Sequence, residues 1–139
     1  MTTPERYPYR VSRDERGQTL PRPILPFQLS HNEQKIDVYA LLDTGATVNV
    51  LPYEIGEALG LPWPDLTRPV VLTGNLARFE ARGVLLAGHI GQFTPVELIF
   101  AWTQAKGIPP LLGQVNFFAE FDVCLFHSRG VFEVQPKPF

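Results

Sequence analysis

Val38-Tyr39-Ala40-Leu41-Leu42-Asp43-Thr44-Gly45-Ala46-Thr47-Val48-Asn49-Val50-Leu51 is an apolar run, a polar turn and a second apolar run. It reads as strand, tight turn, strand, with one carboxylate, Asp43, at the tip. Hydrophobic sequence flanks that carboxylate on both sides. Burying an ionised carboxylate is costly unless it is paired or hydrogen-bonded, so a chain that places one here is expected to use it.

Working upstream, residues 24–29 read as a strand and Ser30-His31-Asn32-Glu33-Gln34 as turn material. Ile36, Val38 and Ala40 then alternate with Asp37, Tyr39 and Leu41, giving a hairpin that feeds into Asp43. Pro21, Pro23 and Pro26 force extended backbone before it. Residues 1–20 are polar and weakly periodic. They are expected to form an N-terminal arm, partly extended or flexible, with an edge strand where Tyr7, Tyr9 and Val11 alternate. The main domain is expected over 21–139.

Downstream, Val48, Val50 and Leu51 make a short strand. The period then changes over 52–61, where Ile55, Ala58 and Leu59 share a helical face, Pro52 suits the first turn and Gly60 the stop. Residues 69–73 and 77–84 read as a second hairpin with Gly74-Asn75 at its tip and one wet face. Further strands are expected at 84–87 and 93–101, interrupted by Gly88-His89-Ile90-Gly91. After a loop come Leu111-Leu112-Gly113, a short helix over 114–120, and a terminal hairpin, 121–126 and 131–134, turning at His127-Ser128-Arg129-Gly130. Many short strands at turn-punctuated intervals, with one or two short helices, predict an all-β closed barrel.

Composition narrows the function classes. A chain of 139 residues suggests one domain, long enough to bury roughly 68–70% of its unfolded surface. Twelve basic and 14 acidic residues leave no basic stripe that would argue for nucleic acid. The start lacks a signal-peptide pattern, and the apolar runs fall well short of the roughly 20 residues that span a membrane. The expected setting is cytoplasmic, with neither nucleic acid nor membrane as a partner. Cys124, alone between Val123 and Leu125, cannot form an internal disulfide and is expected to be a buried apolar thiol. Trp63 and Trp102 are expected to pack. His31, His89 and His127 stand in separate turns without zinc-type spacing, Ser30 and Ser128 lack a nucleophile context, and there is no phosphate-binding glycine loop. No metal and no cofactor is called for.

Asp43-Thr44-Gly45 therefore carries the chemistry. By average residue usage the tripeptide occurs in roughly one chain in thirty or forty of this length, so its weight comes from the apolar context. Amide hydrolysis without a metal or a covalent nucleophile needs a base to activate water and an acid for the leaving nitrogen. Two adjacent carboxylates supply both, because like charges a few ångströms apart do not both ionise easily. Gly45 leaves room for close backbone approach, and the Thr44 hydroxyl can tie two such turns together.

With these residues in view, the sequence resembles the retropepsin-like aspartic proteases of the bacterial and cellular single-domain type. Leu41-Leu42-Asp43-Thr44-Gly45-Ala46, the hairpin around Gly74-Asn75, and Leu111-Leu112-Gly113 stand in the family's order over residues 27–134. The resemblance implies a retropepsin-type barrel that acts as an aspartic endopeptidase on polypeptide substrates. It implies that Asp43 is catalytic and that Thr44 networks between paired loops. Gly45 and Ala46, with Thr47 beyond them, form the substrate-binding loop. Thr73, Gly74 and Asn75 form a flap over the peptide, and Leu111, Leu112 and Gly113 back the active-site loop. Since one Asp-Thr-Gly is present, it also implies a C2 homodimer that supplies the second Asp43. The chain departs from retroviral members in having Thr47-Val48 where they carry acidic residues and Gln114 where they carry arginine. The alternative is a catalytically silent module of the same fold that binds peptide or dimerises.

Overall fold

The structure is a computed structural model, and it describes residues 3–14 and 16–138. The strands are β1 (Glu5–Pro8), β2 (Arg10–Arg13), β3 (Thr19–Arg22), β4 (Ile24–His31), β5 (Gln34–Leu42) and β6 (Asn49–Leu51). Helix α1 (Tyr53–Ala58) follows, then β7 (Ala81–His89), β8 (Val96–Thr103) and β9 (Leu111–Leu112). Helix α2 (Phe117–Glu120), β10 (Phe121–Phe126) and β11 (Val131–Pro136) complete the chain.

Six strands close a barrel in the order β4-β5-β9-β6-β8-β7, as the period-2 patterning predicts. Leu25, Phe27 and Leu29 of β4, Val38, Ala40 and Leu42 of β5, and Leu98, Phe100 and Trp102 of β8 point inward and are buried. Each such leucine or phenylalanine contributes about 1.5–3 kcal/mol relative to exposure. The β4–β5 hairpin turns at Asn32, whose φ of 54° lies in the left-handed region that Asn tolerates. Strand β7 runs on through Gly88 and His89, so the expected interruption begins only after it, and β8 starts at Val96 rather than at residue 93.

Helix α1 is shorter than the periodic stretch and presents a different face. Leu59 is buried and Ile55 half-buried, but Ala58 is exposed. The residue against the barrel is Gly56. A Cβ there would lie 2.1 Å from the Trp102 ring, so only glycine lets the helix seat on the indole. The Trp102 indole N–H donates to the Tyr53 carbonyl (3.2 Å), and Trp63 packs edge-on at 5.0 Å. Both tryptophans thus serve packing, as expected.

Outside the barrel, β1, β11 and β10 form a three-stranded sheet in that order, and β2 pairs with β3. Within the N-terminal stretch the described residues form β1, at the edge of its sheet, and the β2–β3 hairpin. Cys124 is exposed, contrary to the buried thiol expected. In β10 the inward positions are Phe121 and Val123, and Cys124 falls on the opposite face, across from Glu133. Among the described residues no helix is long and apolar enough to cross a membrane.

Tyr7 of β1 stacks on Phe132 at 5.4 Å, and its hydroxyl is buried without a hydrogen-bond partner among the described residues. Burial, and secondarily the charge of Glu5, push its phenol up to about 12. Below pH 10 both folded and unfolded chains keep this proton. Between pH 10 and 12 the unfolded chain releases it first, so stability falls as pH rises through that window. In Tyr7→Phe, urea unfolding should show stability at pH 7 unchanged or higher by about 1 kcal/mol, with a shallower loss above pH 10.

Candidate active site

Asp43 follows directly on β5 and begins the turn to β6. Its N–H donates to the Leu112 carbonyl (2.9 Å), and its own carbonyl accepts the Ala46 N–H (3.0 Å). Its Oδ1 accepts the Gly45 N–H at 2.9 Å, which fixes the carboxylate's direction. Among the described residues Oδ2 has no partner, leaving that oxygen for the cleft. The carboxylate is half-buried rather than enclosed. The apolar wall of the sequence points into the barrel while the turn itself faces outward.

The turn is held from behind by Leu111-Leu112-Gly113. Strand β9 runs parallel to β5, with Leu41 opposite Leu111 and Leu42 opposite Leu112, and antiparallel to β6 at Val50. It threads between the two strands that the Asp43 turn connects. Gly113 then passes so close to the turn that a Cβ would lie 2.6 Å from the Val48 carbonyl oxygen and 2.7 Å from that of Ala46. Beyond it, the Gln114 and Val115 N–H groups donate to the Ala46 (3.0 Å) and Thr47 (2.8 Å) carbonyls. The Gln114 side chain donates to the Thr44 carbonyl at 2.7 Å. Where retroviral members carry arginine, this chain ties its turn with a neutral amide.

A fully buried side chain, Asn49, anchors the arrangement. Its Oδ1 accepts the Gly113 N–H (2.8 Å), and its Nδ2 donates to the Ile99 carbonyl (2.9 Å) and to Asn116 Oδ1 (3.0 Å). Asn116 in turn accepts the Ile99 N–H (3.1 Å) and donates to the Glu97 carbonyl (3.0 Å). The two amides lock the turn and the backing loop to β8.

In front of Asp43 lies a cleft of about 590 Å³, with Leu41 and Leu111 on its floor and Asn75, Leu76 and Ile108 on its sides. Among the described residues no cluster of three or more His, Cys, Asp or Glu could hold a metal ion. Residues 27–115 match the family described as Aspartyl protease. The chain belongs to the aspartyl protease family. Among solved structures it is similar to a retropepsin-like aspartic protease from Rickettsia conorii, with a TM-score of 0.57 and 17% identity over 95% of this chain and 92% of that one. At that identity the likeness speaks for the retropepsin-like fold. No curated protein matches the chain.

Within this aspartyl protease fold the expected site residues separate into three groups. Asp43 and Leu111 line the cleft, while Leu112 and Gly113 are buried behind the turn. Thr44, Gly45 and Thr47 are exposed on the turn, with Ala46 half-buried. Of the expected flap tip, Asn75 reaches the cleft, while Thr73 and Gly74 are exposed and lie outside its lining. The flap itself differs from the regular hairpin expected. Pairing is confined to its base, where Val70 N–H donates to the Ala81 carbonyl (3.0 Å) and Gly83 N–H to that of Arg68 (2.9 Å). The chain then reverses through a 3₁₀ turn at Gly74–Leu76. Above its base the described residues offer no neighbouring strand, and of the alternating stretch 77–80 only Glu80 meets a distant segment, its carbonyl accepting the Gln104 N–H (3.0 Å).

Two sets of residues escaped sequence reasoning. Asn49 did carry a signal, an amide set between Val48 and Val50 in an apolar strand. Arg13, Arg16 and Arg22 line the same cleft from the N-terminal hairpin and carried no local signal. The bracing role of Asn49 is testable. Asn49→Ala leaves the Gly113 N–H and the Ile99 carbonyl unpartnered and should lower stability by about 2–4 kcal/mol. Gly113→Ala, which forces carbonyl oxygens apart, should lower it further, both read from urea unfolding midpoints.

Proposed function

We propose that this chain is an aspartic endopeptidase that works as a C2 homodimer. The observation that carries the reading is Asp43 itself. It sits on a turn braced by a buried amide network, opens on a cleft, and belongs to the chain's single Asp-Thr-Gly. One such carboxylate is half of the acid–base pair that amide hydrolysis needs, and a two-fold axis through facing Asp43 turns supplies the other.

In that dimer one Asp43 is ionised and its mate protonated, since two close carboxylates share a proton. The ionised member takes a proton from water as the oxygen attacks the scissile carbonyl. The protonated member donates to the developing oxyanion, and the leaving nitrogen is protonated as the tetrahedral intermediate collapses. The Thr44 hydroxyls link the two turns. Gly45, Ala46 and Thr47 offer backbone groups to an extended peptide, which lies strand-like in the cleft. Thr73, Gly74 and Asn75 close over it. Leu111 lines the floor beneath the peptide, while Leu112 and Gly113 brace the Asp43 turn from behind.

Asp43→Asn should abolish peptide cleavage, by at least about 10³-fold in kcat/KM, while circular dichroism and the unfolding midpoint stay near wild type. Mixing wild-type with excess Asp43→Asn chains should suppress activity through mixed dimers. Undiminished cleavage by Asp43→Asn would sink the proposal.

A further inference from the structure

Three arginines, Arg13, Arg16 and Arg22, line the cleft that holds Asp43. The whole chain has a net charge of −2, yet a quarter of its 12 Lys and Arg residues stand at this one place. They reach it from the β2–β3 hairpin, where Arg10 pairs with Arg22 and Arg13 with Thr19. The hairpin is tied to the catalytic strand directly. Leu42 N–H, one residue before Asp43, donates to the Pro23 carbonyl at 3.0 Å. Pro21 and Pro23 flank Arg22 and hold its backbone extended, so the half-buried Arg22 is placed beside the site rather than left on a free tail.

These guanidinium groups have no use within the described structure. Arg6 pairs with Glu133 at 2.6 Å, and Arg10 lies over the Tyr39 ring at 4.7 Å. Among the described residues Arg13, Arg16 and Arg22 have neither an ion pair nor a ring partner. Asp14 also lines the cleft, but its Oδ1 accepts the Arg16 and Gln18 N–H groups at 2.9 Å each and holds the hairpin's own turn. A guanidinium offers a planar fork of donors that matches a carboxylate in two parallel hydrogen bonds.

We propose that Arg13, Arg16 and Arg22 form the specificity wall of the cleft and select peptides carrying a glutamate or aspartate in the segment that lies along the β2–β3 hairpin. This inference rests on reading the Asp43 cleft as the substrate cleft. It gives the N-terminal hairpin a role in choosing the substrate, with the charge of Asp43 offset for an acidic side chain by three cations nearby.

The test uses fluorogenic octapeptides in which Glu, Gln or Lys is fixed at each position in turn and the rest is randomised. Wild-type protein should show kcat/KM on the order of tenfold higher for Glu than for Gln at one or two positions, and lowest for Lys. The preference should shrink as salt is raised from low to high ionic strength. The triple variant R13Q/R16Q/R22Q should lose it, R129Q in the β10–β11 turn should keep it, and the exposed Arg13→Gln and Arg16→Gln are read singly as well. The same peptides are bound to Asp43→Asn by fluorescence anisotropy. Equal cleavage of Glu and Gln peptides, or a preference that survives the triple substitution, overturns the inference and leaves the protease reading intact. Glu-selective binding that the triple substitution removes, without cleavage by the wild type, overturns the protease reading and supports the arginine wall. Neither cleavage nor selective binding overturns both.

Discussion

The bond from the Gly113 N–H to the buried Asn49 carboxamide is the constraint on which the site depends. It joins two loops distant in sequence at the point where β9 passes between β5 and β6. A buried amide must satisfy both its donors and its acceptor or cost stability, so its partners are specified tightly. Asn49 finds them in Gly113, Ile99 and Asn116, and thereby sets the depth at which the backing loop lies against the Asp43 turn. Gly113 completes the constraint sterically, because the carbonyl oxygens of Ala46 and Val48 leave no space for a Cβ. Hydrogen bonding and close packing thus act on the same few atoms, and the direction of the carboxylate follows.

Floor and roof of the cleft are built on opposite principles. The floor belongs to barrel strands bonded on both sides and backed by buried leucines. The roof, residues 70–80, buries Leu72 and half-buries Val70, Leu76 and Phe79, leaves its other side chains exposed, and pairs with neighbouring backbone at its base. Segments with few buried contacts and few protected backbone bonds open locally at small free-energy cost. The cleft thus combines a rigid frame around Asp43 with a loosely held cover. The third component, the arginine-bearing hairpin, is intermediate. It is anchored at Pro23 to β5 but stands outside the barrel.

Much of this was legible in sequence where local patterning and burial agree. The β4–β5 hairpin, the Asp43 turn and the terminal hairpin follow from alternation and turn residues, the backing motif was implied by the family resemblance alone, and the barrel buries the faces that the pattern marks. Legibility failed where a segment's partner lies elsewhere in the chain. The alternation over 77–80 suggested a strand, but among the described residues only Glu80 finds a distant backbone partner. Cys124 sits in an apolar run, yet a strand covered on one side must expose every second residue. Ala58 has the right helical phase, but the large Trp102 ring demands contact with a glycine, Gly56, instead. The arginines of the cleft depend on how an entire hairpin docks, which no window of a dozen residues encodes.

The pairing of β1 with β11 also bears on how the molecule is made. Glu5 lies opposite Val134, so β1 meets its partner only after all the barrel strands between them in sequence have been synthesised. Local hairpins such as β4–β5 can close long before that, whereas contacts of such high sequence separation form late and slowly. The barrel carrying Asp43 is complete in sequence by β9, and the outer sheet is closed by β11. A chain made only as far as β10 therefore contains every barrel strand while β1 still lacks β11.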